Sequence, residues 1–144
     1  MFSFKNLFSF LKKVDKEKVK LLAQIRLCIN FCDNIINHLD KIRYPKEDLL
    51  INKIEGSITT FKSLLKSTYN HLEEAESYLK YDNINNAVSE LKNANKTINS
   101  EYLSKSLLKL LVDNNLLNKQ HVKDIGIIKS NIAATLNTLL KSKK

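Results

Sequence analysis

Cys28 and Cys32 stand four residues apart, the spacing at which one helix face offers two thiolates to a soft metal ion. A closed metal site needs further Cys or His ligands. The chain has no third cysteine, and His38 lies ten residues beyond Cys28. Both cysteines fall in an apolar register between Ile25 and Ile35, where free cysteine serves as a small buried hydrophobe. His71 and Glu74 form a second fragment of metal chemistry. Four-helix di-iron proteins use Glu-x-x-His on two helices plus two more carboxylates, and no Glu-x-x-His occurs here. Two glycines leave no phosphate-cradling loop and no nucleophile elbow. His38 and His121 flank apolar positions and are expected at the surface or its boundary. The acidic run "HLEEAES", residues 71–77, reads as a solvated face. No catalytic residue, metal ligand, cofactor or small-molecule substrate is assigned, and the chain reads as a non-enzyme.

The elements that must position these residues are helical. Two glycines and one proline in 144 residues are too few for the many turns of a sandwich or barrel. Asp15 is a plausible N-cap for a helix over about 16–43, with a seam of Leu21, Ile25, Cys28, Cys32, Ile35, Leu39 and Ile42 at alternating steps of four and three. Tyr44-Pro45 ends it. Pro45, Glu47 and Asp48 then open a helix over about 46–80, with Ile51, Ile54, Ile58, Phe61, Leu65, Thr68, Leu72, Ala75 and Leu79 on its seam. Gly56 interrupts its middle, for either a close helix crossing or a bend. Asp82 or Asn83 caps a third helix over about 83–112, either continuous or broken near Asn99-Ser100. Residues 112–120, "VDNNLLNKQ", read as a connection. The last helix, about 119–141, presents Val122, Ile125, Ile128, Ile132, Leu136 and Leu139.

Four long amphipathic helices with short links predict an all-α, antiparallel four-helix bundle over residues 15–144. Within it "AESYLKYDNINNAVSELKNA", residues 75–94, resembles a single tetratricopeptide-type hairpin through Ala75, Tyr78, Ala87, Leu91 and Ala94. It departs from that motif at His71, Glu74 and Asn99, and no 34-residue repeat accompanies it. The resemblance implies a helix–turn–helix with close alanine-mediated packing.

Residues 1–14 stand apart. "FSFKNLFSFLKK", residues 2–13, holds four of the chain's six phenylalanines. At 100° per residue Phe4, Leu7, Leu11 and Val14 share one side, with Phe8 and Phe10 at its shoulders. Lys5, Lys12 and Lys13 lie opposite, and Phe2 falls outside the pattern. This predicts an additional N-terminal amphipathic helix. Burying Phe4, Leu7, Phe8 and Leu11 would gain about 1.5–3 kcal/mol each. Ordering a free residue costs about 1–2 kcal/mol in backbone entropy, so a dozen such residues need a surface. That surface is the protein's own bundle, an anionic membrane, or another protein chain.

The net charge is +9, yet only two of the 24 basic residues are arginine, the residue suited to bidentate phosphate recognition. No run matches a membrane span or a secretory signal, and two cysteines without an export signal suit a reducing, cytoplasmic setting. The expected role is a non-catalytic adaptor, scaffold or inhibitor that contacts another protein, or itself, through Phe2, Phe4, Lys5, Leu7, Phe8, Phe10, Leu11, Lys12 and Lys13. The first alternative is a peripheral membrane-surface protein anchored by residues 2–14. By fold analogy alone that includes the immunity proteins found at the inner membrane face. The second alternative is a basic accessory protein that binds nucleic acid nonspecifically.

Overall fold

The computed structural model describes the backbone over residues 4–42, 49–100 and 103–142, and the side chains over residues 16–42, 55–100 and 103–141. It is all-helical, with no strand among the described residues. Its five helices are α1 (Phe4–Lys41), α2 (Leu49–Lys80), α3 (Ile84–Ile98), α4 (Lys105–Asp113) and α5 (Lys119–Ser142). The expected roles of Tyr44, Pro45, Glu47 and Asp48, and the burial of Ile51 and Ile54, fall outside the described residues.

The heptad seams become the core. Leu21, Ile25, Cys28, Cys32, Ile35 and Leu39 of α1 are buried, as are Ile58, Phe61, Leu65, Thr68, Leu72, Ala75 and Leu79 of α2. Helix α3 contributes Ala87, Val88, Leu91, Ala94 and Ile98, and α5 contributes Ile125, Ile128, Ile132, Leu136 and Leu139. Helix α1 packs against α2 and α5, and α3 packs against the same two. Arg26 meets Glu76 and Asp40 meets Lys62, so α1 and α2 run oppositely. Gln24 meets Thr135 and His38 meets His121, so α1 and α5 do the same.

Residues 75–94 form the expected helix–turn–helix. Ala75, Ala87 and Ala94 are fully buried, and among the described residues the α2–α3 pairing is the most extensive. The turn uses Asp82 in the left-handed region, φ 59°, which Asp tolerates better than most residues. Asn83, not Asp82, is the cap, its side chain accepting from the Asn86 N–H at 3.3 Å.

Three points correct or add to the sequence reading. First, α1 runs unbroken from Phe4 to Lys41, so no separate N-terminal helix precedes one starting at residue 16. Once the packed part of α1 is formed, each added residue needs only propagation, not nucleation. No proline or glycine lies between positions 4 and 41 to stop it. Second, the stretch 83–112, read as either continuous or broken near Asn99-Ser100, is broken there into two helices. Asn99 ends α3 with its side-chain amide on Asn95 O, 2.8 Å, and Ser104 caps α4 by accepting from Leu107 N–H, 3.4 Å. Third, Leu116 and Leu117, inside the expected connection, are buried. They turn inward after Asn115, whose φ is 61°.

Gly56 does not mark a close helix crossing: α2 continues through it, and a Cβ there meets nothing within 4 Å. Gly126 in α5 is equally unencumbered. Neither glycine has a positive φ. Gly56→Ala and Gly126→Ala are each expected to raise the unfolding free energy by about 0.5–1 kcal/mol, measured by urea denaturation.

Candidate functional site

The seam of α1 does not stop where its neighbours stop. Steps of four and three from Leu21 back through Lys18 reach Val14, Leu11, Leu7 and Phe4. Because α1 is continuous, these positions share one phase with the buried seam. Lys16, Glu17, Val19 and Lys20 are exposed, Val19 by 65%. Lys18 reaches the end of α2, donating to Lys80 O at 2.9 Å and pairing with Asp82 at 3.0 Å. The α1–α5 contacts pair Gln24 with Thr135 and His38 with His121. That register brings Ser142, the last residue of α5, level with about residue 17. At 1.5 Å per residue, positions 4–14 therefore carry the α1 backbone roughly 15 Å past both neighbours. Phe2, and the side chains of Phe4, Lys5, Leu7, Phe8, Phe10, Leu11, Lys12 and Lys13, lie outside the described residues.

At the opposite end two histidines converge from distant parts of the chain. The rings of His38 and His121 are 4.3 Å apart, centroid to centroid, and tilted by 47°. His38 donates Nε2–H to Leu116 O at 3.0 Å. His121 accepts the Asn118 N–H on Nδ1, 3.2 Å, while Asn118 Oδ1 accepts the His121 N–H, 2.9 Å. This reciprocal cap starts α5 and fixes His121 as the neutral tautomer with its proton on Nε2. His121 is buried, which corrects its expected place at the surface. The signal was present in its spacing of four from Ile125.

Burial, and after it the charge of His38, holds the His121 pKa below its usual value, with Asp124 pulling the other way. The folded state therefore binds this proton less readily than the unfolded chain. Its contribution to stability is complete above about pH 6.5, the ordinary histidine value, and is lost as the pH falls through the lower folded-state value. The melting temperature is expected to fall as the pH is taken from 7.5 to 5. The fall should be shallower in a His121→Gln variant, followed by circular dichroism.

The other candidate groups are committed to structure. Cys28 and Cys32 are buried free thiols, both pushed up to about 12, chiefly by burial. Neither supplies a thiolate near neutral pH. Cys28 donates to Ile128 O at 3.8 Å, and no three His, Cys, Asp or Glu residues gather as a metal site among the described residues. His71 turns away from Glu74 and meets Glu90 of α3 at 2.7 Å.

The acidic run 71–77 is not wholly a solvated face. Glu73 and Glu74 are exposed, but Glu76 is buried. It accepts two bonds from Arg26, one from Nε at 2.9 Å and one from Nη2. Thr135 donates to Gln24 at 2.8 Å, and Asp124 accepts from Gln120 at 2.9 Å. Among the described residues no buried side-chain nitrogen or oxygen lacks a partner.

No protein-family model, curated protein or solved structure gives a significant match. Among the described residues, no helix is long and apolar enough to cross a membrane.

Proposed function

We propose that this is a non-catalytic adaptor, scaffold or inhibitor whose working part is the projecting end of α1. In this reading α1, α2, α3 and α5 form an antiparallel four-helix bundle. Helix α4 is a short connection across one end, and the setting is cytoplasmic. The observation that carries the function is the phase of α1. A seam that buries Leu21 to Leu39 against neighbouring helices continues in the same register to Phe4, beyond the ends of those helices. A seam continued past the helices that border its base would be completed by helices from another chain. Positions Phe4, Leu7, Leu11 and Val14 would continue the core into the partner, with Phe8 and Phe10 beside them and Lys5, Lys12 and Lys13 outside.

Sedimentation of the full chain and of a Δ1–14 chain tests this. The full chain is expected to self-associate, or to bind its partner chain, in a way that truncation abolishes while helicity per residue is kept. The same lysine-bearing segment also suits an anionic membrane, which supports the alternative of a peripheral membrane protein. A full chain that stays monomeric and pellets with phosphatidylglycerol vesicles, while the truncated chain does not, would replace the protein-contact reading with that one.

A further inference from the structure

Among the described residues, helix α4 packs less extensively on the other helices than α1, α2, α3 and α5 pack on one another. Between it and the start of α5 lies an open cavity of about 640 Å³, within the range of binding pockets. Its floor is apolar: Leu108 and Val112 from α4, and Val122 from α5. Its rims are basic. Lys105 and Lys109 stand one turn apart on α4, and Lys119 and Lys123 stand one turn apart on α5. All four lysines are exposed, and none has an ion pair with a described residue. A single acidic residue, Asp113, joins the lining.

Folding does not explain this arrangement. Lys105 and Lys119 open their helices, where the positive end of the helix dipole disfavours a cation. Beside the cavity, Lys129 donates to Leu103 O at 3.2 Å. Its pKa is lowered, first by burial and then by the charge of Lys105. Positive charge is gathered over an apolar floor with little to oppose it.

The positions of the lysines decide the kind of occupant. A fatty acid carries one charge at one end, and would need cations at one end of the cavity. Here each bordering helix carries its own pair at i and i+4, on the same side of its apolar floor residues. This matches a helix whose apolar stripe is edged by carboxylates at the same spacing. The chain's own N-terminal segment is unsuited, because it carries lysines and no acidic residue before Asp15. We infer that the α4–α5 groove is a docking site for an acidic amphipathic helix of a partner protein. This site is separate from the projecting end of α1 and does not depend on that reading.

The test uses the full chain and a synthetic 18-residue helical peptide with leucines at helical spacing and glutamates on both flanks. Saturable binding is expected in fluorescence anisotropy, with amide shifts in NMR concentrated between residues 105 and 126. The exposed pair Lys109→Glu/Lys123→Glu, checked for unchanged helicity, should weaken binding at least tenfold. A Lys5→Glu/Lys12→Glu variant should leave it within twofold, which separates the groove from the N-terminal lysines. The proposal is overturned by absence of saturable binding, by equal binding of a peptide with its glutamates replaced by lysine or its leucines by serine, or by shifts centred elsewhere. It is equally overturned if phosphatidylglycerol vesicles or duplex DNA displace the peptide from these lysines at lower concentration.

Discussion

Replacing Phe61 with alanine is expected to lower the unfolding free energy by about 3–5 kcal/mol, the largest effect of any single truncation considered. Phe61 is fully buried and heads the large side chains enclosed in the core. Among the described residues it is the one phenylalanine so placed, since Phe31 is only half-buried. Truncation removes the transfer free energy of the ring and leaves a cavity that surrounding Leu and Ile side chains fill only in part. At this chain length the melting temperature should drop by roughly 10–15 °C. Phe61→Leu keeps most of the volume and should cost less than half as much. Urea denaturation of both variants checks the prediction. A loss under 1 kcal/mol for the alanine variant would mean that the core does not close around this position.

The second large effect concerns Arg26 and Glu76. The Glu76 side chain is 10% exposed, whereas the Arg26 side chain is 49% exposed, so the pair is buried on one side and wet on the other. Breaking a fully buried pair costs about 3–5 kcal/mol, and an exposed pair contributes about 0–1 kcal/mol. Arg26→Ala leaves the carboxylate enclosed with only Lys80 at 3.7 Å to oppose it, and is expected to cost about 2–3 kcal/mol. The Arg26→Leu/Glu76→Leu double variant should recover most of that loss, because no charge then remains to be desolvated. If the double variant is as unstable as Arg26→Ala, the pair matters for its shape and not for its charge.

The apolar periodicity made most of this architecture legible. The seams read for α1, α2 and α5 are buried along most of their described length, because core burial is what sets a helix's apolar period. Ile42 and Val122, at the ends of their seams, are half-buried, as expected where packing thins. What escaped the sequence depends on contacts between distant segments. Glu76 stands four residues from Leu72 and three from Leu79, at the edge of the seam, but the charge that opposes it inside the fold comes from Arg26, fifty residues earlier. Likewise His38 and His121 meet across 83 positions of sequence. Asp15 has the chemistry of a cap, yet a cap signal cannot end a helix that is already propagating from packed turns. The α4–α5 groove was invisible because it depends on how far α4 stands from α5, which no periodicity records.

The unbroken course of α1 has a mechanical consequence. A shaft without a joint fixes the rotational angle of its tip relative to its base. Inserting one residue between Val14 and Leu21 would turn positions 4–14 by about 100° and advance them by only 1.5 Å. Seven inserted residues would lengthen the shaft by about 10 Å while turning it by only about 20°. A partner seated on the tip would thus tolerate a change in reach far better than a change in angle.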